Sequence, residues 1–317
     1  MLASPRYTQG MTQPYVRPDV AALLEIANKP GAKRAVDVGL EGARGMMHAS
    51  RKMFDAETGP LAVLRDIEGG PCPMRLYDAR AEREPGPAIV FYHGGGFLLG
   101  DLDTHEPLCA EIARLTDLPV ISVDYALAPE HPFPAGIEDA MAAARWIADS
   151  PLALGRAVDG LVLAGDSAGG NFAIVTALAL RDQPAAVAVR ALWAIYPAAN
   201  PTRHYSSLDQ FGEGFLLSRA SMGWFDEGYA PDRGDWRYDP MLKDLAGLPS
   251  TLVVAGSLDP IRDQSRAFVG ACAAAGVSTT YLECDGTIHG FMNLRRALPS
   301  AQHDLERCVA HLGLLLG

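Results

Sequence analysis

The chain has 317 residues, 49% of them hydrophobic and 21% charged, with a formal net charge of −11. That balance can bury a sizeable core and excludes a fibrous, low-complexity or largely disordered chain. The negative charge and the lack of any Lys/Arg cluster exclude nucleic acid as a partner, because neutralising phosphates takes basic side chains; the same field favours neutral substrates over anionic ones.

At this length one large α/β core with insertions is expected. The opening MLASPRYTQGMTQPYVRP carries no apolar leader-like stretch, and no window approaches the ~18 apolar residues of a membrane span, so a cytoplasmic protein with no membrane span is expected. A helix is predicted over 19–27, but residues 1–55 otherwise lack a regular rhythm. From about residue 87, short β-branched runs ending in Gly, Asp or Pro alternate with Ala- and Leu-rich helical patterns, the signature of βαβ units and a mostly parallel sheet. Strands are predicted at 88–92, 120–125, 160–164, 191–196, 251–255 and 279–283. Leu108, Ile112 and Leu115, and then Ile137, Ala140, Ala144 and Ile147, recur at helical spacing between them. Phe268, Ala271, Cys272 and Ala275 form a third stripe ending at Gly276, and Leu305, Val309, Leu312 and Leu316 a terminal one.

The stretch 200–244 breaks this pattern. It holds Phe211, Phe215, Trp224, Phe225, Tyr229, Trp236 and Tyr238 in a gap too long for a simple crossover. Segments 1–55 and 200–244 are read as a cap over the site, and 56–199 with 245–317 as the catalytic domain; the alternative is a helical insertion packed on the side. The five cysteines, Cys72, Cys109, Cys272, Cys284 and Cys308, are odd in number and lack the spacing of a zinc site or disulfide framework, so reduced thiols are expected.

The strongest local signal is the run 160–180, a strand followed by Gly165-Asp166-Ser167-Ala168-Gly169 and an Ala-rich helix. A serine on a sharp strand-to-helix turn is thrust out of the sheet, glycines two before and two after allow the turn, and the helix start sets amide N–H groups beside the hydroxyl. Upstream, His93-Gly94-Gly95-Gly96 directly follows a predicted strand, and three glycines permit a backbone whose amides turn inward to an oxyanion. Gly94, Gly95 and Ala168 are the expected donors. A phosphate-cradling loop is disfavoured, since no Gly-Lys-Ser/Thr follows, and His93 is read as orienting the loop.

Downstream, Asp259 stands three residues after Gly256 and the strand before it, and His289 lies in the loop after the last strand. A serine hydroxyl is a poor nucleophile near neutrality, so it needs an imidazole to take its proton, and the imidazole needs a buried acceptor to fix its tautomer. Asp259 is preferred over Asp263, which falls in the first turn of the next helix as a dipole partner. His48, His105, His131, His204, His303 and His311 are read as surface or locally satisfied side chains. No pair of histidines has the helical spacing of a metallohydrolase, so no metal is expected.

Together HGGGF at His93, DYALAPEHPFPA at Asp124, GDSAGGN at Gly165, DPIRD at Asp259 and HGF at His289 resemble the hormone-sensitive-lipase family of microbial esterases, in the branch whose elbow reads GDSAG. The matches run in family order from about residue 88 to 291. The resemblance implies an α/β-hydrolase fold with a mostly parallel central sheet, flanking helices and a helical cap. It implies a carboxylesterase acting on small, neutral, short-chain acyl esters without metal or cofactor, with Ser167 as nucleophile, His289 as base and Asp259 as its orienter. The family usually carries Arg in Asp-Tyr-Arg-Leu-Ala-Pro-Glu where this chain has Ala126, so the ion pair of that Arg is absent or replaced here; Asp124 and Glu130 are read as structural partners beneath the site. An edge strand at 279–283 would suit a homodimer, as in some relatives. The same machinery also serves amidases, thioesterases, lactonases and acyltransferases, and related folds serve as non-catalytic receptors for small molecules.

Overall fold

The structure, a computed structural model, describes residues 14–317. Eight strands form one sheet: β1 (Val63–Ile67), β2 (Met74–Asp78), β3 (Gly86–Tyr92), β4 (Val120–Val123), β5 (Val158–Asp166), β6 (Val189–Ile195), β7 (Ser250–Gly256) and β8 (Thr279–Cys284). Their spatial order is β1-β2-β4-β3-β5-β6-β7-β8. The first two pairings, β1 with β2 and β2 with β4, are antiparallel, and all later ones are parallel.

Parallel neighbours need crossovers, and the helices predicted from periodicity supply them: α3 (Glu106–Thr116), α4 (Ala135–Ala148), α5 (Ala168–Asp182) and α8 (Arg262–Ala274), with α9 (Pro299–Leu316) closing the chain. Because both faces of the sheet are covered, the central strands read as continuous apolar runs. Alternate side chains then serve two layers. Ala88, Val90 and Tyr92 with Leu161 and Leu163 join Ile137, Ala140 and Phe172 of α4 and α5. Ile89, Phe91, Val162 and Ala164 join Leu108 and Ile112 of α3 and Leu305 and Cys308 of α9.

Three elements escaped the sequence reading, each for a physical reason. β1 is half exposed, so its Val-Leu-Arg-Asp-Ile lacks an apolar run, and β2 alternates apolar with charged residues. The helix α2 (Gly39–Phe54) buries only Ala43 outright and carries three glycines, so its narrow stripe of Leu40, Ala43, Met47 and Phe54 is set in a poor helical composition. α1 (Pro18–Ala27) is the helix predicted at 19–27.

Between β6 and β7 the aromatic-rich segment folds into two short helices, α6 (Ser206–Phe211) and α7 (Arg219–Tyr229). Buried polar contacts close this segment on itself and tie it to the catalytic domain: Asn200 Nδ2 donates to Asp239 at 2.9 Å, Asn171 Nδ2 of α5 to the Tyr238 carbonyl at 2.9 Å, and Ser207 Oγ to the Pro260 carbonyl in the loop after β7 at 2.9 Å. Tyr229 stacks on Phe97 with ring centroids 4.0 Å apart. Such a segment is fixed by its contacts at both ends rather than by helix length.

The loops that follow β3, β5, β7 and β8 all leave the same edge, the carboxyl ends of the parallel strands, where open α/β sheets hold their ligands. They carry residues 93–96, 167, 259 and 289.

Candidate active site

β5 runs straight to Asp166, and α5 starts at Ala168, leaving Ser167 alone on the turn with φ 56° and ψ −114°. Few L-residues adopt this backbone, and the turn survives because its flanks are glycine. A Cβ on Gly165 would come within 2.6 Å of the Tyr92 carbonyl oxygen, and one on Gly169 would collide with the same atom. Ser167 N–H donates to the Ile195 carbonyl at 2.9 Å, which anchors the turn to β6.

His289 Nε2 lies 2.9 Å from Ser167 Oγ, and its Nδ1 lies 2.7 Å from Asp259 Oδ2. Asp259 is fully buried, and its other oxygen accepts the Ile261 N–H at 2.8 Å, so the carboxylate is held from both sides. A carboxylate at Nδ1 favours the tautomer with its proton there, leaving Nε2 free to accept from the serine hydroxyl. Asp263 is elsewhere: it accepts from Ser206, the Ser207 amide and Arg262 in the first turn of α8. Of the two candidate acids, only Asp259 is brought to His289.

The glycine loop requires a correction. Gly94 N–H donates to the buried Asp166 Oδ1 at 2.7 Å, so this amide is already taken and cannot serve an incoming oxyanion. The amides of Gly95, Gly96 and Ala168 have no acceptor among the described residues. Gly95 and Gly96 take φ of +133° and +60°, conformations that glycine alone adopts readily. The sequence does not single out the free Gly96 amide, because a run of three identical glycines does not say which amide the fold has already used.

His93 beneath this loop is fully buried, stacked on Tyr125 at 4.2 Å, with Nδ1 3.0 Å from the Gly94 carbonyl. Burial, reinforced by neighbouring His105, pushes its pKa down to about 4, so it is neutral at physiological pH. His105 is a second correction. Expected among the surface or locally satisfied histidines, it is 1% exposed, and its Nε2 sits 3.3 Å from Asp166 Oδ1, at ion-pair distance although outside hydrogen-bond geometry. Nothing local in the sequence signals this, because the contact joins the start of α3 to the end of β5.

Ala126 stands where the family carries Arg, and the cation that reaches this loop comes from α2. Arg44 of α2 donates to both oxygens of Glu130, at 2.7 and 2.8 Å, and to the Leu98 carbonyl at 3.0 Å. Ala126 itself offers only its N–H, to Asp139 at 2.9 Å. Asp124 forms no ion pair among the described residues, and burial, aided by Asp101 and only partly opposed by Arg75, pushes its carboxyl up to about 6.

Above Ser167 and His289 opens a cavity of about 900 Å³, walled by Met46 and Met47 from α2 and by Leu217, Met222 and Phe225 from the segment between β6 and β7. Among the described residues no three His, Cys, Asp or Glu side chains are grouped to hold a metal ion, no cysteine is disulfide-bonded, and no helix is long and apolar enough to cross a membrane.

A family model described as α/β-hydrolase fold matches residues 89–293. The carboxylic ester hydrolase LipN of Mycobacterium tuberculosis is 39% identical over 277 residues, covering 82% of this chain and 72% of its own. The ethyl acetate hydrolase of Pseudomonas putida is 31% identical, covering 94% of this chain and 98% of its own. Among solved structures, an ester-hydrolase from the metagenome of Lake Arreo, complexed with a derivative of bipyridine phosphonate, superposes with a TM-score of 0.88 at 35% identity, covering 94% of this chain and 98% of that one. The fold is that of an α/β-hydrolase. The chain belongs to the hormone-sensitive-lipase-type family of ester hydrolases within it.

Proposed function

We propose that this protein is a carboxylesterase hydrolysing small, neutral, short-chain acyl esters through an acyl-enzyme on Ser167. The observation that carries the reading is the unbroken chain from Ser167 Oγ through His289 to buried Asp259, at 2.9 and 2.7 Å, on the floor of the cavity. Ser167 attacks the ester carbonyl while His289 Nε2 takes its proton. The oxyanion that forms is met by the free amides of Gly95, Gly96 and Ala168, each worth on the order of 3 kcal/mol of transition-state stabilisation. His289 then returns the proton to the departing alcohol, and water repeats the cycle on the acyl-enzyme. All the reacting groups are protein groups, so the reading requires no metal or cofactor.

Segments 1–55 and 200–244 act as the cap, and residues 56–199 with 245–317 as the catalytic domain; residues 1–13 lie outside the described part. Supporting this, both segments contribute side chains to the cavity wall, as Met46 and Phe225 do. A short acyl chain suits the chemistry, and the P. putida relative named for ethyl acetate supports that choice. β8 is the terminal strand of the sheet, and a homodimer would form by pairing two copies along it.

The test is turnover of an acyl series, acetate to dodecanoate, by the unmodified protein and by Ser167→Ala and His289→Ala. The reading expects the highest kcat/KM at the acetate end of the series, in line with the relative named for ethyl acetate, and a loss of at least ~10³ in both variants. Near-normal turnover in either variant would sink it. A matched amide or thioester cleaved within tenfold of the ester would move the reading to another acyl-transfer reaction on the same groups.

A further inference from the structure

Asp166, the residue immediately before Ser167, does no chemistry in the cycle above, yet it is 3% exposed and contacts four separate segments. Its Oδ1 accepts the Gly94 N–H at 2.7 Å from the loop after β3 and stands 3.3 Å from His105 Nε2 at the start of α3. Its Oδ2 accepts from Asn293 Nδ2 at 3.1 Å, four residues beyond His289, and from the Tyr196 hydroxyl at 3.4 Å, at the end of β6. The Tyr196 ring in turn lies against the His289 imidazole, with centroids 4.8 Å apart. So this carboxylate reaches the oxyanion loop on one side and the base on the other, the latter by two routes.

We propose that Asp166 is a positioning residue of the hydrolysis: it clamps the loop bearing Gly95 and Gly96 to the loop bearing His289, and thereby sets where the oxyanion amides stand relative to Nε2. The clamp holds with both oxygens, so a shift of either loop breaks a buried charge-assisted hydrogen bond. Complete burial by itself would raise the carboxyl's pKa, but His105 and the Gly94 amide outweigh it and hold the group below the ordinary range, in the acceptor-only form the clamp needs. The Gly94 N–H found bound is then the anchor of the oxyanion loop, which leaves the two amides after it for the substrate. A misplacement of about 1 Å at such a site costs on the order of 100-fold in rate, so the effect belongs in kcat rather than in ground-state binding.

The proposal rests on the serine-hydrolase reading, and the experiment separates the two. A fluorophosphonate titrates reactive Ser167 in the full chain, and kcat for a short acyl ester is expressed per titrated site, so that misfolded protein drops out of the count. Asp166→Ala is expected to lower kcat per site by about 100-fold with KM within about threefold. Asp166→Asn is expected to recover at least tenfold of that loss: its Oδ1 can keep the Gly94 amide, and Asn293, whose own Oδ1 has no partner, can turn to accept from the new Nδ2. Should Asp166→Ala fail to fold, Asn293→Ala decides, with an expected three- to tenfold fall in kcat per site at unchanged KM. Wild-type kcat per site in the folded variants would overturn the proposal, and so would an Asp166→Asn no more active than Asp166→Ala. Failure of the unmodified protein to react at Ser167 would instead overturn the hydrolase reading itself.

Discussion

Replacing Asp259 by Asn leaves shape and volume almost unchanged, so its effect isolates the tautomer of His289. The carboxylate holds the Ile261 N–H with Oδ1 at 2.8 Å and the imidazole Nδ1 with Oδ2 at 2.7 Å. An amide can satisfy only one of these donors. If its oxygen keeps Ile261, its NH₂ faces Nδ1 and drives the ring proton to Nε2, where it points at Ser167 Oγ and cannot accept. If its oxygen turns to Nδ1, two buried donors oppose each other at Ile261, at a cost of about 1–3 kcal/mol. The productive tautomer is thus depleted by about 5- to 150-fold. Losing the ionised partner of the imidazolium removes about 1.5–3 kcal/mol more, which brings the total to between ~10² and ~10⁴ in kcat, the upper end being the usual consequence of this change in serine triads. The assay is steady-state hydrolysis of a short acyl ester, normalised by thermal melting to folded protein. Asp263→Asn is the control, because Asp263 holds Ser206 and Ser207 rather than His289; it should keep kcat within about tenfold. An Asp259→Asn loss below tenfold, or a larger loss in Asp263→Asn, would refute the reasoning.

Other consequences concern the framework. Gly169→Ala drives a methyl into the Tyr92 carbonyl, and since backbone cannot yield cheaply, stability should fall by on the order of 3 kcal/mol and the melting temperature by about 5 °C. An unchanged melting temperature would contradict the packing at the elbow. Asp124 has a folded pKa raised to about 6 from 3.8, so the folded state holds its proton more tightly and stability is lost as pH rises through that window. Asp124→Asn should therefore raise the melting temperature at pH 8 and leave it unchanged at pH 3.5. Glu130 is the opposite case: Arg44 lowers its carboxyl to about 2, so its contribution is present above the unfolded value near 4.5 and lost as pH falls toward 2. Because the pair is largely exposed, Glu130→Gln should cost no more than about 1 kcal/mol at pH 7 in urea unfolding, and nothing at pH 2.

The parts of the fold written in strong periodicity could be read directly. The five inner strands β3 to β7 and the crossover helices declare themselves because each is buried on both faces or along one continuous stripe, and the edge strand β8 through its β-branched and aromatic residues. β1 and α2 do not, since each is largely exposed or only partly buried, and β2, though buried, breaks its apolar residues with Arg75 and Asp78. The same division runs through the site. The grouping of Ser167, Asp259 and His289 was legible because each stands at a strand end in a fixed chemical order. The bond that occupies the Gly94 amide, the buried state of His105 and the pairing of Arg44 with Glu130 were invisible, because each depends on a side chain arriving from a distant element. Local sequence announces the group that reacts; what occupies or frees a particular amide is decided by tertiary contact.

The account stands on a covalent step at one oxygen. Rapid-quench mass spectrometry during turnover of a slowly deacylating ester measures that step directly. The account predicts the acyl group's mass on the peptide containing Ser167 within the first turnover, and none in Ser167→Ala. Product release with no covalent adduct, or with the acyl group on another residue, would contradict it.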